Sequence, residues 1–320
     1  MELSLDPGVL ATIAVAEYLY LRAVRILRRR GVAVGRGQQA LWHAGIALWV
    51  IGLVSPVDSL GDDLLSAHMA QHLLIADLGA PLLLAGARYP VLMFLLPRPA
   101  LVPLARWRWG RNAFRVLRKP LVAVPVYVLV LYFWHFSFAF EAAVRHPAVH
   151  ALQHASFVAI GVLVWWSALD PKRARVPGEL WKVPYLIGAR FGGMLLGMGF
   201  VLIRVPVYTG VYGSGERELG LSALHDQQLA GGMMVSLDLL IMAFALCFFF
   251  LRAAQDAEEA EDAERAPGLN PPIPAASRRR GRSSEPVDRS QVAHHEDARS
   301  TGSDSAHDAE PSTDDRRIQA

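Results

Sequence analysis

Two pairs of histidines carry the chemistry that the chain advertises. His68 and His72 lie four residues apart in LLSAHMAQHLLIADLGAPLLLAG (64–86), and His150 and His154 repeat the spacing in VHALQHASFVAIGVLVWW (149–166). In a helix, positions i and i+4 share a face one turn apart, so each pair offers two imidazoles to one target. Both pairs sit in segments apolar enough for a bilayer, where an ionisable side chain is costly and marks a functional site by default. A lone histidine in such a helix ordinarily hydrogen-bonds a neighbouring helix. Paired spacing, found twice, points instead to metal ligation.

Further donors fall into the same register. His135 stands in YFWHFSF, near the end of an apolar run, and His225 opens the last one. With the two pairs they make six candidate metal ligands: His68, His72, His135, His150, His154 and His225. His43 reads as a packing histidine, and His146 falls in a loop. Met69, Met198 and Met233 lie near these positions, and imidazole with thioether suits Cu(I). Zinc and haem iron also accept imidazole, so ligand type alone leaves the metal open. The single cysteine, Cys247, excludes a disulfide framework and any CxxC site.

These donors must be positioned by membrane helices. About 20 apolar residues span a bilayer core. Seven stretches qualify by eye: 9–27, 38–54, 64–86, 120–138, 148–169, 183–203 and 224–251. The expected fold is an all-α, polytopic bundle of seven transmembrane helices (1–251) followed by a charged tail (252–320). In the first stretch the arginines follow the apolar run, which reads as a span and not as a cleaved leader. Alternate loops hold 18 and 3 Lys and Arg, so the positive-inside rule places the N-terminus outside and the tail in the cytoplasm. That orientation brings seven of the eight histidines before residue 252 toward the outer side, His43 being the exception.

Two regions call for a different reading. PRPALVPLARWRWGRNAFRVLRKP (97–120) mixes apolar residues with six Arg and one Lys. It reads as an interfacial helix on anionic cytoplasmic lipids, with Trp107 and Trp109 at headgroup level, and nothing else favours nucleic acid. The tail is too poor in large apolar residues to bury a core, which predicts disorder. Its RRRGR run (278–282) and its histidines 294, 295 and 307 receive no role. Among polar residues inside the spans, Arg190 is expected to pair with an intramembrane carboxylate. Asp77 should meet a different helix from the one His68 faces. Asp226 and Gln227, next to His225, are placed to orient a liganding imidazole.

At HMAQHLLIADLGAPLLLAG (68–86), FWHFSFAFEAAVRHPAVHALQHASFVAIGVLVWW (133–166) and DQQLAGGMM (226–234) the chain resembles the CtaG family of multi-span cytochrome c oxidase assembly factors. The resemblance covers about residues 10 to 250. It implies a non-enzymatic part in building a haem-copper terminal oxidase, with oxidase subunits as partners and copper handled at the outer face. Two other classes stay open on the residues alone. One is a zinc-dependent membrane hydrolase, for which Asp62, Asp63 and Ser66 lie near His68. The other is a haem-binding electron carrier with two axial histidines.

Overall fold

The computed structural model describes residues 6–169, 181–215 and 218–265. The basic run around 172–175, the RRRGR segment and the tail histidines lie outside the described residues. Among the described residues every element is helical: α1 (Pro7–Arg29), α2 (Arg36–Val54), α3 (Pro56–Gly61), α4 (Leu65–His72), α5 (Ala80–Ala87), α6 (Leu92–Leu95), α7 (Arg98–Arg106), α8 (Arg108–Leu117), α9 (Pro120–His135), α10 (Ser137–Arg145), α11 (Pro147–Leu169), α12 (Lys182–Leu202), α13 (Thr209–Tyr212) and α14 (Ala223–Arg265). A π-helical segment, Leu73–Gly79, joins α4 to α5 without a break.

Among the described residues four helices are long and apolar enough to cross a membrane: Leu65–Ala87, Pro147–Leu169, Lys182–Leu202 and Ala223–Glu259. A fifth arises if α8 and α9, bent by 88°, count as one span. The expected spans at 9–27 and 38–54 are indeed helices, of 23 and 19 residues. Glu17, Arg22 and Arg25 in the first, and Gln38, Gln39 and His43 in the second, keep both below the apolarity of the other four. Seven crossings therefore exceed what length and apolarity establish.

The π-helical segment has a sequence cause. Pro81 carries no N–H, so the carbonyl of Asp77 loses its i+4 donor, and the proline ring crowds that carbonyl. The ladder widens here, and the indole N–H of Trp49 donates to the carbonyl of Ile75 at 3.0 Å. Helix α11 closes on the same segment, where a Cβ on Gly161 would lie 2.9 Å from the carbonyl oxygen of Ala76. Gly79, at the end of the segment, faces Trp49 of α2.

Three apolar clusters hold the bundle. The largest joins α9, α11, α12 and the π-helical segment through Tyr127, Trp134, Phe157, Ile160 and Leu186. A second packs α1 on α2 and α5, with Tyr20 stacked on Trp42 at 4.3 Å. The third, around Met69, Phe140, Phe200, Tyr208 and Met234, closes the end of the bundle that carries the histidines. Helix α14 runs on to Arg265, past the expected boundary at residue 251. AAQDAEEAEDAE cannot build a core, yet Ala and Glu are strong helix formers and need only extend a helix already nucleated by the apolar span.

Candidate metal centre

The first pair of imidazoles is placed by a cap from a distant helix. The Asp226 carboxylate, fully buried at the start of α14, accepts from the backbone N–H of Leu65 at 2.8 Å and of Ser66 at 2.9 Å. A carboxylate at a helix N-terminus satisfies orphan donors and complements the helix dipole. Asp226 therefore fixes the start of α4 and, one and two turns later, His68 and His72. This differs from the expected role beside His225, and it arises because the helix turn directs Asp226 inward and His225 outward.

Histidines 68, 72 and 150 converge. One ring nitrogen from each lies within 4.8 Å of the other two. Ring centroids are 4.5 Å apart for His68 and His72 and 5.0 Å for His68 and His150. His154 abuts the trio, 4.2 Å from His150 and 5.0 Å from His72. An imidazole binds zinc at about 2.0–2.1 Å, so ligands sharing a tetrahedral site lie roughly 3.3 Å from one another. The observed separations, up to 4.8 Å, exceed that value, so the rings would turn inward to share one ion. Phe140 and Phe157 wall the cluster, at 4.9 Å from His68 and 4.8 Å from His72.

The nitrogens themselves are the decisive feature. The Nε2 atoms of His68, His72, His135, His150 and His154 are buried without a hydrogen-bond partner, as is Nδ1 of His72. Each such atom costs about 1–3 kcal/mol if left unsatisfied, and a metal ion satisfies it. The residues present thus fit a metal.

His135 is close by but separate. Its Nδ1 lies 2.7 Å from the carbonyl of Leu131, which makes Nδ1 the protonated nitrogen and leaves Nε2 with a free lone pair. Tyr208 donates to the His135 carbonyl at 2.7 Å and stacks on Phe140 at 4.0 Å, bracing the end of α9. A cavity of about 30 Å³ begins at His72 and His135 and continues past Met69 and Met234 to Asp77 and Asp238.

His225 does not join the cluster: it stands on the exposed side of α14, its backbone N–H 3.2 Å from Ser222 Oγ. His43 pairs with Glu17 at 3.3 Å, in keeping with a packing role, and His146 is exposed. Of the three methionines singled out, only Met69 reaches the cavity. Met198 is exposed, and Met234 takes the place expected of Met233. Gln227 braces the loop after α12, accepting from Val207 N–H at 2.8 Å.

Asp77 and Asp238, which line the cavity, take part in the expected ion pair, which has one more partner than a pair. Arg190 Nη1 contacts Asp77 on the π-helical segment and lies 3.2 Å from Asp238 Oδ1 on α14. The guanidinium also sits over the rings of Tyr127 and Trp165, at 5.5 and 5.8 Å. At the mouth, Asp58, Asp62 and Asp63 precede α4, and Gln71 donates to Asp58. Burial first, then the like charge of Asp58, raises the Asp62 carboxyl above the usual carboxylate range; His150 opposes this and Asp63 adds to it.

The profile of the cytochrome c oxidase caa3 assembly factor, CtaG, matches residues 18–256. The chain belongs to this family. An uncharacterized protein of Mycobacterium bovis and one of Mycobacterium tuberculosis are each 28% identical to it over 233 residues, or 68% of this chain and 34% of the relative. The chain thus spans about a third of the length of these curated relatives. No solved structure matches it.

The matched region of this CtaG chain contains every element that builds the site: α4 with its pair, the end of α9 with His135, the start of α11 and the capping turn of α14. It ends within α14, before the residues that follow Arg265.

Proposed function

We propose that this CtaG protein receives copper on His68, His72, His150 and His154 and passes it, without catalysing a reaction, to a subunit of a haem-copper oxidase under assembly. The observation that carries this reading is the set of buried Nε2 atoms without partners, converging from two helices. Neutral imidazoles exchange a metal more readily than a closed thiolate cage, and delivery requires exchange. The acidic residues 58, 62 and 63 at the mouth favour approach of a cation.

In this reading α1 and α2 complete seven crossings, the N-terminus lies outside and the tail lies in the cytoplasm. The 18 to 3 loop asymmetry supports that orientation, which puts the cluster at the outer face. Helix α8, nearly perpendicular to α9, then rests on the inner leaflet, with Trp107 and Trp109 exposed toward anionic headgroups.

Metal counting on purified protein tests the proposal. Wild type should retain copper, while His72→Ala and His154→Ala should each lose most of it and leave oxidase copper low in cells. Full copper retention by both variants would overturn the shared site. A Soret band would assign the site to haem, and zinc retained in preference to copper would favour the hydrolase class.

A further inference from the structure

The cavity beneath the four histidines is lined by a second donor set. We infer that His135, Met69 and Met234 form a separate, softer site for a monovalent copper ion, one step deeper in the bundle than the cluster that receives the metal. The inference rests on the copper-handling reading and extends it to a route.

Three observations converge. First, the donors are of one kind. Met69 and Met234 are buried and line the same cavity as His135, and thioether with imidazole selects Cu(I) over divalent zinc or Cu(II). His135 offers that cavity a lone pair on Nε2, because its Nδ1–H is committed to the carbonyl of Leu131. Second, the volume suits a dehydrated ion. About 30 Å³ is room for one or two waters or one dehydrated ion, and much of the lining (Leu73, Leu131, Phe157, Ile160) offers water no hydrogen bonds.

Third, the cavity has an acidic wall: Asp77 and Asp238 both line it and share one guanidinium, Arg190. Two carboxylates facing one guanidinium favour a cation in the cavity, and the thioethers select a monovalent copper ion.

His72 links the two sites. It belongs to the upper trio and also lines the cavity, and both of its nitrogens are buried without partners. A neutral imidazole has one lone pair, so His72 serves one site at a time. A tautomer or rotamer change therefore moves an ion between them by ligand exchange, with no change of oxidation state. Phe157, packed at 4.8 Å from His72 and 6.1 Å from His135, fills the gap between the rings.

The test uses full-length protein in lipid nanodiscs, loaded with Cu(I) without oxygen. Copper per chain is counted, and X-ray absorption reports whether sulfur lies in the coordination shell. Wild type should hold two ions and show copper–sulfur scattering. The double variant Met69→Leu/Met234→Leu keeps core volume, so it should fold. It should keep one ion and lose the sulfur signal. His68→Ala/His150→Ala should do the reverse, losing a nitrogen-bound ion and keeping the sulfur signal. A wild-type spectrum without sulfur, or an unchanged copper count and spectrum in the methionine variant, would overturn the deeper site and leave the upper cluster untouched. Copper retained in full by the histidine variant, with sulfur scattering in neither protein, would sink both.

Discussion

Two polar clusters are buried in this bundle within a few turns of each other, and they differ in charge pairing. In the cluster around Arg190, opposite charges face one another, Asp77 and Asp238 from separate helices on one guanidinium, with aromatic rings beneath it. In the cluster around His72, like groups face one another and every Nε2 lacks a partner. A group of the first kind carries its own counter-charge and ties helices together, although Arg190 Nε and Nη2 are themselves buried without a partner. A group of the second kind holds no counter-charge, and its convergent nitrogens fit a metal ion.

The difference predicts opposite responses to mutation. Arg190→Met strips two buried carboxylates of their counter-charge, which costs about 3–5 kcal/mol when one partner of a buried pair is removed. That approaches the whole stability of a domain, about 5–15 kcal/mol. Arg190→Met protein should insert poorly or melt far below wild type. Restoring it with Asp77→Asn and Asp238→Asn in the same chain should recover most of the loss. A thermal melt of Arg190→Met within a few degrees of wild type would mean that the ion cluster does not hold the helices together.

The histidines should behave the other way. His150→Leu removes a buried nitrogen that has no partner, so metal-free protein should be unchanged or more stable by about 1 kcal/mol. What should vanish is the stabilisation that added copper gives wild type, since a ligand stabilises only the state that binds it. Thermal melts with and without copper separate the two terms. A metal-free loss of about 2 kcal/mol or more would mean that the imidazole serves packing, as a satisfied core histidine does.

How much of this was legible in the sequence follows from the same contrast. The i, i+4 pairs were visible because helical periodicity alone fixes which face they share, and α4 and α11 kept that periodicity. The need of Arg190 for a carboxylate was visible from charge, though which carboxylates was not. Asp77 reaches Arg190 from within the π-helical segment, whose register shift the 3.6-residue period does not describe. Asp226 was assigned by adjacency to His225. In the fold, adjacency on a helix means pointing about 100° apart, so one residue capped α4 while the other faced outward. Met234 replaced Met233 for the same reason. The end of α14 was misplaced because a charged composition argues against burial and not against helix.

The smallest expected effect concerns the approach to the histidines. Asp62 lies in the turn before α4, near enough to His150 for the two to interact electrostatically. Its carboxyl is held above the ordinary carboxylate range, by burial and then by Asp58, so its folded state binds a proton more tightly than its unfolded state. The ionised form is therefore the destabilised one, and the stability contribution of this group grows as pH falls through the raised value. Attraction of a cation runs the other way: it is present above that value and is lost as pH falls through it. Asp62→Asn should slow copper uptake a few-fold at neutral pH and low salt, with the copper count per chain unchanged. The difference from wild type should shrink at high ionic strength, where an exposed charge is screened within about 8–10 Å. It should shrink again as pH falls through the raised value of Asp62, because the wild-type carboxyl then carries the proton that the asparagine variant imitates. Stopped-flow uptake at two salt concentrations and across a pH series checks this. A lowered copper count with an unchanged uptake rate would move Asp62 from the approach path into the metal centre itself, and the contrast between the two clusters would then include a carboxylate on the histidine side.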